Sequence, residues 1–278
     1  MIVALTGASG FIGRALAERL RAAGHEVRPV KLREAEPVPA CDAVVHLAGE
    51  PVLQRWTALA MERIRASRVD GTRRVVAGIA KLSPPPRVLL NASAIGICGS
   101  RGDEPLTESS PRGAGFLAEV CAAWEREADA AAASGTRVVK LRTGIVLGRG
   151  GGALARMLPA FRFGAGGRLG SGRQWMSWIH LDDMLGLIEF ALGDAGLAGP
   201  ANATAPSPVT NAQFTAQLAG ALHRPAIVPV PAFALKLLLG ETASVLLDSQ
   251  RVLPLAALDR GYRFRYPELG PALADLLL

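Results

Sequence analysis

The chain has 278 residues, half of them hydrophobic and 5% aromatic, long enough to bury one large core or two unequal lobes. Its 31 Lys and Arg against 24 Asp and Glu give a net charge of +7. The arginines are scattered, with no basic tail and no interleaved aromatics, which argues against nucleic acid as a partner and leaves an anionic ligand as the sharper reason for part of the charge. No apolar run reaches bilayer-spanning length, and Lys236 breaks the longest candidate, Ala232–Leu239, so no membrane partner is expected.

Residues 1–5 have the length of one buried strand. The sequence after them, Thr6-Gly7-Ala8-Ser9-Gly10-Phe11-Ile12-Gly13, leads into a helix expected over 11–23 with apolar positions at Leu16 and Leu20. An apolar start running straight into a glycine turn, with no basic segment ahead of it, reads as a strand and not as a signal peptide. Strand, glycine turn and helix in this order cradle a pyrophosphate. Gly7 takes the tight turn, Gly10 allows close backbone approach, and Gly13 lets the helix sit hard on the strand. The helix then offers its free N–H groups and positive dipole end to the anion. Gly7, Ser9, Gly10, Phe11, Ile12 and Gly13 are therefore the expected dinucleotide contacts.

A second strand is expected over 26–32. Only ten residues, 33–42, separate it from a third strand over 43–48. A parallel crossover needs about a dozen residues or more, so the strand that a full doubly wound half places here is expected to be absent. Strand 26–32 then becomes the sheet edge. Pro29 agrees, because proline is tolerated in strands chiefly at edges. The end of this strand also bears on the cofactor. Lys31 and Arg33 share a face by strand alternation. Two cations suit the 2′-phosphate of NADP(H), whereas an acid there suits NAD(H). NADP is the expected cofactor, with Glu34 the opposing signal.

Helices over 56–82 and 115–134 alternate with strands over 87–92 and 137–142. The first two thirds thus read as right-handed βαβ units around a parallel sheet covered on both faces. Glycine-dense residues 148–172 follow, with a short helix over 153–161, and then helices near 182–193, 210–222, 231–239 and 267–277. The expected organisation is an α/β, Rossmann-like, doubly wound lobe over 1–165 and a smaller α+β lobe over 166–278, interleaved around 175–205. Cys41, Cys98 and Cys121 form no CxxC pair and have no histidine at ligand spacing, which points to a reducing, cytoplasmic setting and to no metal. His180, Asp182 and Asp183 resemble a ligand cluster, but an aspartate ahead of the helical run 184–191 is better read as an N-cap.

Five stretches together carry a family resemblance: residues 6–13, Asp42-Ala43-Val44-Val45-His46-Leu47-Ala48-Gly49, Leu89-Leu90-Asn91-Ala92-Ser93-Ala94-Ile95-Gly96, Leu141-Arg142-Thr143-Gly144-Ile145-Val146-Leu147-Gly148 and Trp178-Ile179-His180-Leu181-Asp182-Asp183. On these the chain resembles the extended short-chain dehydrogenases/reductases of the NAD-dependent epimerase/dehydratase superfamily. More narrowly, residues 170–180, Ser249-Gln250-Arg251-Val252-Leu253-Pro254 and Phe264-Arg265-Tyr266-Pro267 resemble the atypical YfcH-like epimerases. The resemblance implies a cleft between two lobes, a small polar or nucleotide-linked substrate and a homodimer. It places Leu47, Ala48, Gly49 and Ala92 beside the cofactor and Ser93 at the serine that orients the reacting oxygen.

That family works through Ser/Thr and a YxxxK pair, the tyrosine moving a proton and the lysine lowering a phenol pKa that is otherwise near 10. Here the two tyrosines, Tyr262 and Tyr266, lie far C-terminal. The helix that should carry the pair reads Phe116-Leu117-Ala118-Glu119-Val120-Cys121-Ala122-Ala123-Trp124-Glu125. Phe116 and Val120, or in the next register Leu117 and Cys121, take the Tyr and Lys places. Losing a positioned acid/base costs about 10²–10⁴ in rate, so the usual chemistry is slow, changed or absent. Glu119 is the candidate substitute, provided the cleft desolvates it. Cys121 and Cys98 read as packing residues. Arg173, Gln174 and Trp175 offer a cation, an amide and a stacking face to a substrate. Two functions follow: an NADP-dependent oxidoreductase or epimerase, or an NADP(H)-binding regulatory protein without turnover.

Overall fold

The structure, a computed structural model, describes residues 1–32 and 36–278. Its first half runs β1 (Ile2–Thr6), α1 (Phe11–Ala22), β2 (Glu26–Val30), β3 (Ala43–His46), α2 (Ala58–Ile79), β4 (Val88–Ala94), β5 (Pro105–Leu106), α3 (Phe116–Asp129) and β6 (Arg137–Thr143). The second half runs β7 (Ile145–Gly148), α4 (Gly152–Arg162), β8 (Trp175–Met176), β9 (Trp178–His180), α5 (Leu181–Gly193), β10 (Gly199–Ala203) and β11 (Val209–Thr210). It continues with α6 (Asn211–Ala221), α7 (Ala232–Leu239), α8 (Ser244–Leu247), β12 (Arg251–Val252), α9 (Leu255–Asp259) and α10 (Leu269–Leu277).

Four consecutive buried residues in β1 and four in β3 mark strands covered on both faces. They belong to a six-stranded parallel sheet in the order β10-β6-β4-β3-β1-β2. Strand alternation divides the core into two layers. Val3, Leu5, Val45, Leu90, Val139 and Leu141 meet Leu16 and Leu20 of α1 and Met184 and Ile188 of α5. Ala4, Val44, Leu89 and Val138 point the other way, onto Val75 and Ile79 of α2 and Ala128 of α3. A separate core joins Leu154 and Phe161 of α4, Trp178, Phe214 and Leu218 of α6, and Leu269 and Leu273 of α10. No described helix is long and apolar enough to cross a membrane, and all three cysteines are free.

The edge expectation holds. Among the described residues β2 pairs with β1 alone, with Pro29 opposite Leu5. β3 pairs with the other side of β1, Val3 against Ala43 through Thr6 against His46. Chain order therefore reverses between β1 and β3. Crevices at such reversals, beyond the carboxyl ends of the strands, are where parallel sheets bind ligands.

Candidate functional site

The glycine turn follows the last residue of β1. Gly7 has φ +72°, a left-handed conformation that glycine adopts without steric cost. The Gly10 N–H donates to the Gly7 carbonyl at 3.0 Å and closes the turn. A Cβ on Gly13 would lie 2.1 Å from that same carbonyl oxygen, so α1 sits directly against the turn. Gly10 caps α1 without a side-chain hydrogen bond, and the first helical turn carries no acid. The free N–H groups and the dipole of α1 are thus left for an anion. Phe11 turns its ring onto Gly148, Gly151 and Gly152, and Ile12 joins the sheet core. Both residues can serve a ligand through their backbone N–H groups. The Ser9 carbonyl accepts from Arg14 Nη2 at 3.4 Å.

The end of β2 departs from expectation. The strand stops at Val30, so alternation does not extend to Lys31. Lys31 is exposed and its backbone N–H donates to Glu36 Oε2 at 2.9 Å. Arg33 and Glu34 lie outside the described residues.

At the end of β3 the small residues abut the glycine turn. A Cβ on Gly7 would meet the Ala48 nitrogen and the Leu47 carbonyl carbon at 2.9 Å. The Ala48 N–H donates to Thr6 Oγ1 at 3.2 Å, and Thr6 Oγ1 lies 2.6 Å from His46 Nδ1. His46 is fully buried and its Nε2 has no partner among the described residues. Burial, helped by the nearby Arg68 charge, lowers its pKa to about 4. The unfolded imidazole titrates near 6.5, so between these values the unfolded chain binds more protons. Stability is then complete above about pH 6.5 and falls as the pH drops towards 4, by on the order of 3 kcal/mol. Urea denaturation at pH 7, 5.5 and 4 tests this, and the slope should shrink in His46→Asn. An unchanged slope in the variant would assign the loss to other groups.

Beyond β3, the C-terminal end of β4 brings Ala92 and Ser93 to the same carboxyl end of the sheet. Ala92 is half-buried and Ser93, on the opposite face, is 3% exposed. Ser93 Oγ donates to Glu125 Oε1 at 2.7 Å. Arg142 grips the same carboxylate through Nε at 2.9 Å and Nη2 at 3.0 Å. Its Nη1 donates to the Glu108 carbonyl. This buried Ser–Glu–Arg group is the main feature that sequence reading missed. The available signal was a carboxylate four residues after Cys121, on the same apolar helix face.

The structure brings Ser93 to Glu125 and not to Glu119. The Glu119 side chain is 58% exposed and lies 3.5 Å from Arg65 of α2, so the desolvation required of it is absent. Phe116 meets Trp56 edge to face, ring centres 5.1 Å apart. Burial raises the Cys121 thiol to about 12 and also raises that of Cys98, which removes both as thiolate nucleophiles. The tyrosines are committed elsewhere. Tyr262 donates to the Asp183 carbonyl at 3.0 Å, and Tyr266 to Asp275 Oδ1 at 2.9 Å.

Two side chains of the expected substrate stretch hold the fold. Gln174, 7% exposed, donates from Nε2 to the carbonyls of Leu169 and Leu246. Trp175 donates to Asp103 Oδ1 at 2.8 Å and carries the Arg251 guanidinium 4.6 Å from its ring centre. Arg173 is exposed. The N-cap of α5 is His180, whose ring accepts from the Asp182 N–H, and neither aspartate takes that role. The Asp183 carboxylate instead accepts from the backbone N–H groups of Arg265 and Tyr266. No group of three or more His, Cys, Asp or Glu among the described residues is placed to hold a metal.

Comparison with known proteins identifies the family and the fold. The family model for the NAD dependent epimerase/dehydratase family matches residues 3–201, and a domain of unknown function (DUF1731) matches residues 230–276. The chain is 42% identical over 303 residues to the epimerase family protein SDR39U1 homolog, chloroplastic, of Arabidopsis thaliana, covering all of this chain and 87% of that protein. A crystal structure of human epimerase family protein SDR39U1 (isoform 2) with NADPH is 36% identical and superposes with a TM-score of 0.93 over 99% of both chains. The nucleoside-diphosphate sugar epimerase of Corynebacterium glutamicum is 36% identical, TM-score 0.81, over all of this chain and 58% of that one.

Proposed function

The chain belongs to the NAD-dependent epimerase/dehydratase family, and on that premise we propose that it binds NADP(H) as an extended short-chain dehydrogenase-like oxidoreductase or epimerase of a small polar or nucleotide-linked substrate. The observation that carries the reading is the bare N-terminus of α1. It has no side-chain cap and no first-turn acid, and it is pressed onto a turn that only glycines can build. A pyrophosphate fits that cradle. The NADPH in the human SDR39U1 structure supports the choice of coenzyme.

Gly7, Ser9, Gly10 and the N–H groups of Phe11, Ile12 and Gly13 would hold the diphosphate. Leu47, Ala48, Gly49 and Ala92 would line the ribose side, with Lys31 and Arg33 at the 2′-phosphate. NADPH supplies hydride chemistry when bound. Ser93 is the group proposed to meet the reacting oxygen. Its hydroxyl donates to Glu125, so its lone pairs accept from a substrate hydroxyl, and holding a carbonyl oxygen requires the hydroxyl to turn away from Glu125. No proton transfer is assigned to Glu119, and Arg173 is the substrate contact retained from its stretch. The three unpaired cysteines suit a cytoplasmic protein, and the homodimer rests on family membership.

A second reading, a non-catalytic NADP(H)-binding regulator, is favoured by one observation. Both tyrosine hydroxyls are held at Asp183 and Asp275. Incubating the protein with NADPH and a panel of carbonyl compounds and nucleotide sugars separates the two, reading absorbance and product exchange. Turnover that Ser93→Ala reduces supports the enzyme, and tight NADPH binding with no turnover across the panel supports the regulator.

Coenzyme choice is a separate test. NADPH should bind at least about tenfold more tightly than NADH, as charge-assisted bonds to a phosphate predict. Lys31→Ala and Arg33→Ala should each narrow the gap. Equal titration curves for the two coenzymes would overturn the assignment.

A further inference from the structure

One half-buried cation has no role in the scheme above. Arg68 reaches from α2 to the loop that follows β3. Its Nη1 donates to the carbonyls of Glu50 at 2.9 Å and Ile64 at 3.2 Å. Its guanidinium carbon lies 5.2 Å from the ring centre of Trp124 on α3. A Cβ on Gly49 would meet the guanidinium at 3.3–3.5 Å. Gly49 follows Ala48, which itself abuts Gly7 of the glycine turn. The cation is therefore continuous with the nucleotide crevice.

Three features set this guanidinium apart from the surface arginines. Among the described residues it forms no ion pair with a carboxylate, and its Nε and Nη2 make no hydrogen bond. Burial pushes it below the usual guanidinium range, with Cys121 and Glu50 acting in the opposite direction. Its charge reaches both His46 at the end of β3 and Cys121 on α3. Cys121 in turn neighbours the backbone of Ala94, the last residue of β4. A partly desolvated charge is costly; the Glu50 charge offsets part of that cost, and an incoming group that accepts from Nε and Nη2 offsets more.

Cys121 is where one register of the YxxxK helix expects the lysine. Trp124, which carries the guanidinium, lies three residues further on the same face of α3. The missing ammonium and the present guanidinium therefore occupy one neighbourhood, reached from two different helices. We propose that Arg68 binds the nicotinamide-ribose end of the coenzyme, supplying from α2 the cation that α3 lacks at Cys121. A guanidinium stays protonated throughout the working pH range, so Arg68 orients this end of the ligand and moves no proton. The inference rests on the NADP(H) reading.

The experiment compares two ligands across three proteins. NADPH contains the nicotinamide riboside, and adenosine 2′,5′-bisphosphate lacks it while keeping the adenosine and its 2′-phosphate. Calorimetry measures both ligands on wild type, Arg68→Met and Arg68→Lys, and NADPH fluorescence reports immobilisation of the nicotinamide. Arg68→Met should weaken NADPH about tenfold or more, the scale of a hydrogen bond to a charged group. It should also abolish the fluorescence change and leave the bisphosphate unaffected. Arg68→Lys should recover part of the loss and decides the matter if the methionine variant fails to fold. Equal weakening of both ligands, or NADPH binding that neither variant disturbs, overturns the role given to Arg68. Wild-type protein that binds neither ligand sinks the NADP(H) reading itself.

Discussion

Gly13→Val should remove dinucleotide binding and lower stability together. The cause is steric. The first side-chain carbon at position 13 would lie 2.1 Å from the Gly7 carbonyl oxygen, 2.8 Å from the Gly7 carbonyl carbon and 3.0 Å from Ala8 Cα. All three are backbone atoms and cannot rotate away. Gly7 cannot retreat either, because a Cβ-sized space on its far side is filled by the Ala48 nitrogen and the Leu47 carbonyl at 2.9–3.0 Å. Helix α1 must lift off β1, carrying its N–H groups away from the anion they serve. Overpacking of this kind costs about 1–3 kcal/mol, and a displacement of about 1 Å in a positioned group costs on the order of 100-fold in function. Calorimetric NADPH titration and urea denaturation measure the two effects. Gly220→Ala is the control, since a Cβ there meets nothing within 4 Å. A Gly13→Val protein with wild-type affinity would show that the contact between α1 and the turn does not shape the site.

This steric lock was legible in the sequence because it is local: strand, turn and the first residues of the helix lie within residues 1–13 and each glycine has one geometric duty. The edge strand was legible for a similar reason. Ten residues cannot hold a crossover and a strand, and Pro29 marks the side that needs no second partner. Long-range pairing was not legible. Ser93 and Glu125 are 32 positions apart, and Glu125 and Arg142 are 17 apart. Only the stacking of β4, α3 and β6 brings them together. Asp183 shows the same limit. Its place ahead of a helical run suggested a cap, while its carboxylate is spent on backbone N–H groups 82 and 83 positions away. Polar residues in a glycine-rich stretch show the same limit, because hydrogen bonds to distant loops cannot be read from spacing. Gln174 and Trp175 have the chemistry of a binding site, but the neighbouring loops already take their hydrogen bonds.

Arg142→Met should cost about 3–5 kcal/mol of stability, because removing one partner of a buried pair strands the other charge. The side chains of Arg142 and Glu125 are 10% and 8% exposed. Without the guanidinium, the Glu125 carboxylate keeps the Ser93 hydroxyl as its one remaining side-chain partner among the described residues. Glu125→Gln in the same background removes the stranded charge, so the double variant should regain much of the loss, as replaced buried pairs often do. Ser93→Ala removes one hydrogen bond to a charged acceptor and should cost about 1.5–3 kcal/mol. A double-mutant cycle in urea, with NADPH affinity measured on each protein, distinguishes two roles for the group. If it is scaffold, stability and affinity fall and recover together, because β4, α3 and β6 shift as one and carry Cys121 and Trp124 with them. If Ser93 also meets the substrate, Ser93→Ala keeps its NADPH affinity and loses turnover beyond what its stability explains. An Arg142→Met protein within about 1 kcal/mol of wild type would mean that water reaches Glu125, and the buried-pair cost would not apply.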